Sequence, residues 1–507
     1  MPIEFADEYP PLLIKEPKDE QPKFLNRSLL LAACAACIGG TFQYGYNISV
    51  INAPTTYVQN FINQTWRERY QTNISADALT LLWSTAVSIF TVGGLVGVTV
   101  GGTLSMKLGR KGALMANNIC ALMAALLMGL SYPTALFELL IIGRFFTGLN
   151  AGIGLCAQTL YLGEIAPTAH RGAMGVGTSI FITVGILAGQ VMGLKELLGE
   201  EEYWPLLLST TCVPAFLQLL ILPWFPESPR YLLIDRGDEQ GCEKALKQLH
   251  GRAGYDAERE DIEKERNNLV DFQTKTPWQL FTDRSVRWQL VTIVLLNAAQ
   301  QLNGINAIYF YADYLFRQSG IPVDKIPYVT LGTGACECVT ALTCGLFVDR
   351  LGRKALITGG YALMSICCIL FTLTLSFQDA SPVVPYLSMG CLFAFILSFG
   401  LGPGGVTNIL TTELFTQTTR PAAYMIAGSV NWLCFFFIGL VFPFVVLGLQ
   451  QYCFLVFLAV CSFMAMYIFF VIPETKNKTF IEIQNEFKSS SHKKADRAGP
   501  MLLITST

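Results

Sequence analysis

Five side-chain amides lie deep inside long apolar runs of this 507-residue chain: Gln190, Gln300, Gln301, Asn306 and Asn431. A carboxamide donates and accepts hydrogen bonds at once, and apolar surroundings penalise it unless partners are supplied. Such groups serve either as glue between membrane helices or as the lining of a site for a neutral polar ligand. A single amide fits glue best, and Gln190 is the clearest case. Gln301 and Asn306 are five apart, about 140° around a helix at 100° per residue, so they share a broad face. The chemistry of an enzyme is missing from the sequence: it offers no nucleophile–base set and no phosphate loop. Only three histidines occur, His170, His250 and His492, too few for a metal centre. Cys34-x-x-Cys37 and Cys336-x-Cys338 read as small packing residues within apolar helices rather than as metal or redox pairs, and no structural disulfide is expected.

The elements that must position these amides are membrane helices. Charged residues make up 14% of the chain and hydrophobic ones 52%, against about 25% charged in an average soluble chain. That balance excludes a disordered chain and a basic nucleic-acid binder. Apolar runs fall at about 28–50, 82–104, 112–131, 135–160, 173–195, 205–222, 289–312, 326–348, 355–375, 386–411, 423–447 and 452–472, each near the ~20 residues a span requires. The first is too long, and preceded by too acidic a stretch, for a cleaved signal peptide. The expected fold class is therefore an all-α integral membrane protein with twelve transmembrane helices. Lys and Arg concentrate in alternate loops, which places both termini in the cytosol. The sequons at Asn63 and Asn73 then fall outside, as candidate glycosylation sites, whereas those at Asn26, Asn47 and Asn477 do not.

The chain repeats itself. Lys107-Leu-Gly-Arg110-Lys111 recurs as Asp349-Arg350-Leu-Gly-Arg353-Lys354. Glu164 precedes Arg171 by seven residues, and Glu413 precedes Arg420 by the same spacing. Pro226-Glu227-Ser-Pro-Arg230 recurs as Pro473-Glu474-Thr-Lys476. The order implies two parallel six-helix halves, 28–222 and 289–472, with a polar helical linker at 223–288, an N-terminal tail at 1–27 and a C-terminal tail at 473–507. In that plan a substrate sits between the halves near the bilayer midplane. Glycines at 109 and 352 allow tight turns, and the nearby cations can meet Glu164, Glu227, Glu413 and Glu474 in a cytoplasmic gate that breaks on opening. Gly402-Pro403-Gly404-Gly405 interrupts the tenth run and suits a hinge.

These motifs carry a family resemblance. Gly45-Tyr46-Asn47 with Ile51-Asn52-Ala53-Pro54, Gly143-Arg144-Phe145, Tyr161-Leu-Gly-Glu164, Gln300-Gln301-Leu-Asn-Gly-Ile-Asn306-Ala307, Gly402-Pro403-Gly404, Arg420-Pro-Ala-Ala423 and Asn431-Trp432 join the repeats above. Together the chain resembles, from about residue 29 to 486, a facilitative hexose transporter of the sugar-porter branch of the major facilitator superfamily. Asn297-Ala298-Ala299 replaces the Gln-Leu-Ser of class I glucose carriers, Asn408 replaces their tenth-span tryptophan, and Phe435 and Glu337 replace two asparagines. These departures resemble class II, the branch containing the fructose transporter.

The resemblance implies a plasma-membrane uniporter that needs no cofactor, binds no nucleic acid, and takes fructose, glucose or both, a single chain sufficing for transport. It assigns Gln300, Gln301, Asn306, Asn431 and Trp432 to the sugar cavity, with Ser179, Glu337 and Asn408 at further walls. It assigns Tyr309, Phe310 and Tyr311 to an outer gate. Arg110, Lys111, Arg144, Glu164, Arg171, Glu227, Asp349, Arg353, Lys354, Glu413, Arg420 and Glu474 fall to the cytoplasmic gate. Asn47 stands where proton-coupled relatives have an aspartate, which favours passive transport. Glu337, a lone carboxyl in the eighth run, keeps proton coupling open as an alternative, and class II membership does the same for an organic anion such as urate. A nutrient receptor would need a longer tail. Asp7-Glu8 with Leu12-Leu13 reads as a sorting element or as plain tail.

Overall fold

The computed structural model describes residues 26–167, 171–268, 276–415 and 419–476, together with 482, 483 and 486. The N-terminal sorting element lies outside the described residues, as do the side chains of Arg171 and Asp349. Every regular element among the described residues is helical. In chain order these are α1 (Arg27–Gly39), α2 (Thr41–Ser49), α3 (Thr55–Tyr70), α4 (Ala76–Leu108), α5 (Arg110–Ser131), α6 (Phe137–Ile165), α7 (Arg171–Met192), α8 (Trp204–Ser209), α9 (Cys212–Ile221) and α10 (Glu239–Asn268). There follow α11 (Pro277–Thr282), α12 (Arg287–Leu302), α13 (Ile305–Gln318), α14 (Ile326–Leu351), α15 (Arg353–Ser376), α16 (Val384–Phe399), α17 (Gly405–Leu414), α18 (Arg420–Leu449) and α19 (Phe454–Val471).

Nine stretches among the described residues are long and apolar enough to cross a bilayer, from Arg27–Ser49 to Phe454–Val471. The runs expected at 173–195, 289–312 and 326–348 correspond to α7, to α12 with α13, and to α14. A break separates α12 from α13.

Four of the long helical runs are discontinuous, and at three of the breaks a buried side-chain amide takes up a backbone group that the break releases. Between α1 and α2 the amide N–H of Thr41 donates to Gln158 Oε1 at 2.7 Å. Between α8 and α9 the Thr211 carbonyl accepts from Gln43 Nε2 at 2.8 Å. Between α12 and α13 Gly304 adopts φ +103°, a conformation side chains oppose, and Asn303 Oδ1 caps the Ile305 N–H at 2.9 Å. Between α16 and α17 the residues Gly400–Gly404 form a π-helical turn around Pro403.

Helices up to Trp224 pack mainly with one another, notably α4 with α6, α5 with α6 and α2 with α7. Those from Arg287 do likewise, through α15 with α19, α15 with α16 and α12 with α18. Two seams join the early and late sets: α4 with α18, and α7 with α14. The sequence repeat maps α4 onto α14 and α7 onto α18, so the seams are counterparts. The repeat is also visible in the backbone, where Gly109 (φ +87°, ψ 170°) and Gly352 (φ +88°, ψ 165°) share one conformation. The linker packs onto both sets. Leu249 of α10 joins the cluster of Leu29, Tyr161 and Ile165, and Leu280 of α11 joins that of Leu414, Phe415 and Ala422.

Candidate functional site

The charged motifs gather at one end of the molecule, each set clipped by its own contacts. Arg110 pairs with Glu164 at 2.8 Å and Asp235 at 2.7 Å, and its guanidinium lies over the Tyr231 ring at 4.8 Å. The late set repeats the geometry with Arg353 and Glu413 at 3.0 Å. Glu227 and Glu474 act on the backbone. Glu227 accepts from the N–H groups of Lys111 at 2.9 Å, Gly112 at 3.3 Å and Ser228 at 2.8 Å. Glu474 accepts from Arg353 N at 2.9 Å and Lys354 N at 3.1 Å. Each carboxylate thus caps the start of a helix, where unpaired N–H groups and the helix dipole favour an anion. The Lys111 ammonium donates to the carbonyls of Pro223 and Phe225 at 3.0 and 2.7 Å, and Arg420 Nη2 to that of Phe415 at 3.1 Å.

Arg144 corrects the expectation from sequence. It precedes Glu164 by twenty residues on the same helix, about 30 Å along the axis, and so lies far from the charged motifs. It is fully buried, donates from Nη1 to the Asn47 carbonyl at 2.8 Å and stacks over Phe90 at 4.9 Å. Its contacts are those of a strut holding α2 and α4 against α6.

Midway along the molecule, the amides assemble around the α12–α13 break. Gln301 Nε2 donates to Asn431 Oδ1 at 2.5 Å, and Asn306 Nδ2 donates to Gln301 Oε1. Three helices therefore contribute to one amide chain, and Gln301 and Asn306 remain 8% and 7% exposed. Gln300, one position back, is half-buried on a different face. Trp432, next to Asn431, is 3% exposed. Its ring sits edge-on to Tyr44 at 5.8 Å and Phe90 at 6.3 Å, stacks on Phe435 at 6.1 Å and lies against Gly94 of α4. An early-set wall and a late-set indole thus meet directly beside the amides.

The remaining candidates sit around this core. Glu337 is 8% exposed. Its carboxyl faces the Tyr309 hydroxyl, and Glu337 Oε2 and Tyr309 Oη are both buried without a well-formed hydrogen bond. Ser179 and Asn408 are exposed and lie on α7 and α17, between the amide chain and the charged end. Toward the opposite end, Tyr309, Phe310 and Tyr311 are all buried. Phe310 stacks on Phe435 at 5.1 Å, and the Tyr311 hydroxyl donates to the Gly439 carbonyl at 2.6 Å. On this side the sets are also joined by hydrogen bonds. Gln190 Nε2 donates to Thr333 Oγ1 at 3.1 Å, the Asp313 N–H to Asn52 Oδ1 at 3.3 Å, and the Tyr328 hydroxyl to Glu196.

Sequence reasoning passed over Tyr44, Phe90 and Gly94, which complete the aromatic floor under the amides. Tyr44 alone had a readable signal, a phenol inside an apolar run. The contacts of Phe90 and Gly94 depend on tertiary packing.

A family model described as "sugar (and other) transporter" matches residues 32–487. The chain is 48% identical to mouse solute carrier family 2, facilitated glucose transporter member 9, over 91% of this chain and 86% of that one. It is 46% identical to the human member 11 over 91% and 93% of the two chains, and 45% identical to the mouse member 5 over 94% and 95%. Among solved structures it is similar to the partially occluded, inward-open xylose transporter XylE of E. coli, with a TM-score of 0.75 at 21% identity, covering 90% of this chain and all of that one. The chain belongs to the sugar (and other) transporter family, among the facilitated glucose transporters of solute carrier family 2.

Proposed function

We propose that the chain is a passive carrier of a neutral hexose, fructose or glucose, working by alternating access across the plasma membrane. In this reading twelve spans form two six-helix halves, 28–222 and 289–472. Both termini, the 223–288 linker and the charged motifs face the cytosol, and one chain suffices for transport. The observation that carries the reading is the Gln301–Asn306–Asn431 amide chain at a helix break, floored by Trp432. A hexose presents hydroxyls that both donate and accept, and CH faces that suit an aromatic wall. Gln300, Glu337, Ser179 and Asn408 complete the cavity. The relatives named as facilitated glucose transporters, at 45–48% identity, support the same conclusion.

The seams support an inward-facing state. Cross-set hydrogen bonds lie on the Tyr309–Tyr311 side, while Ser179 and Asn408 are exposed toward the charged end. Tyr309, Phe310 and Tyr311 then form the closed outer gate. The ion pairs of Arg110 with Glu164 and Arg353 with Glu413 stiffen each cytoplasmic rim, with Lys111, Arg171, Glu227, Asp349, Lys354, Arg420 and Glu474 around them. Passive transport follows from Asn47, whose amide donates to the Gln43 carbonyl at 2.9 Å and Thr211 Oγ1 at 3.1 Å and cannot cycle a proton. Asn73, exposed between α3 and α4, is the better glycan acceptor. Asn63 is helical and its sequon threonine, Thr65, is buried. The test is uptake of fructose, glucose and urate by purified protein in liposomes. Saturable uptake of a hexose supports the reading, and uptake of urate alone would replace it with an anion carrier.

A further inference from the structure

At the end bearing the charged motifs, residues 276–288 display aromatic side chains outward. Trp278 is 77% exposed, Phe281 56% and Trp288 52%, with Arg284 and Arg287 exposed among them. The other face of the same segment is firmly seated. Leu280 and Val286 are buried with Leu414, Phe415, Ala422, Ala423 and Ile426, and a Thr276–Gln279 capping box fixes the start of α11. The display is therefore rigid. The neighbouring acid, Asp283, is engaged by the Ser285 N–H at 2.9 Å and hydroxyl at 2.7 Å. One turn beyond Trp288, the exposed Val291 continues the surface onto the apolar outer face of α12. Tryptophan with arginine, at the margin of an apolar helix face, suits the headgroup layer of a membrane.

We propose that residues 276–288 are an in-plane anchor. Trp278, Phe281 and Trp288 enter the headgroup boundary, and Arg284 and Arg287 hold the phosphate of an anionic glycerophospholipid. Because Leu280 and Val286 pack with Leu414, Phe415 and Ala422, which neighbour Glu413 and Arg420 in the chain, the bound lipid stabilises the end of α17 and the start of α18 at the charged rim. The proposal rests on the membrane reading above, and on neither the sugar nor the orientation.

The test uses the full chain in vesicles with anionic lipid in both leaflets, read by unfolding temperature and tryptophan emission, so transport is not needed. Anionic lipid raises the unfolding temperature of the wild type. Arg284→Gln with Arg287→Gln raises the half-saturating anionic fraction by about fivefold per arginine removed, whereas Arg67→Gln, exposed near the opposite end, leaves it unaltered. With brominated lipid, Trp278→Phe removes quenchable emission. A double variant that responds like the wild type, or loss only of unquenchable emission in Trp278→Phe, overturns the proposal. So does full stabilisation by free glycerol phosphate in zwitterionic vesicles, which would make the site one for soluble phosphate.

Discussion

Gln301→Ala removes the centre of the amide chain, and its cost can be worked from the geometry. Gln301 donates to Asn431 at 2.5 Å and accepts from Asn306, so the empty site is already satisfied. A sugar hydroxyl entering here exchanges one good hydrogen bond for another, and each exchange is worth about 0.5–1.5 kcal/mol net. Two such bonds lost give about 1–3 kcal/mol, or roughly five- to 160-fold weaker apparent affinity. The shared bond makes a second demand. Asn431→Ala removes the same Gln301–Asn431 contact, so the double variant should be less impaired than the summed single costs, by about 0.5 kcal/mol or more. The assay is concentration-dependent hexose uptake in liposomes, with protein per vesicle measured by immunoblot. Unaltered affinity in Gln301→Ala, or additive effects in the double variant, would show that the amides are helix glue and that the sugar binds elsewhere.

Gly94→Leu should abolish transport while the protein still reaches the membrane, because a side chain there collides with the Trp432 ring and holds α4 away from α18. Normal uptake by that variant would mean the seam does not close during the cycle. Asn408→Trp should lower the fructose-to-glucose ratio of kcat/KM, since a bulky ring narrows the cavity wall. A well-expressed variant with an unchanged ratio refutes that role. The Tyr328 hydroxyl holds Glu196 below the usual carboxylate value of 4.5, so this bond between the early and late sets is present at neutral pH and lost only as pH falls through that depressed value. Tyr328→Phe should therefore shift the protein toward the outward-facing state at pH 7, read as greater labelling by an impermeant outer-site reagent, and unchanged labelling would discount the latch.

Much of this architecture was legible in the residues. The run expected at 355–375 is the helix Arg353–Ser376, and the interruption expected at Gly402–Gly405 is a π-helical turn over Gly400–Gly404. Hydropathy and proline chemistry are local properties, so they survive folding. The breaks at Gly40 and at Thr210–Thr211 were not readable, because Gln158 and Gln43 stabilise them from distant helices. The gathering of Gln301, Asn306 and Asn431 was legible as residue types and family motif, but the hydrogen bonds joining them depend on α18 crossing the α12–α13 break. Arg144, which the resemblance assigns to the charged gate, lies instead two turns from the start of α6, a helix length from Glu164 near its other end.

The most direct test of the account is the steady state of hexose uptake in liposomes under an imposed proton gradient, acid outside. A passive carrier lets internal hexose rise to the external concentration and stop there, with the same plateau when the gradient is absent. Accumulation above the external concentration, collapsing when a protonophore is added, would contradict passive transport and assign the coupling proton to Glu337 rather than to the Asn47 position.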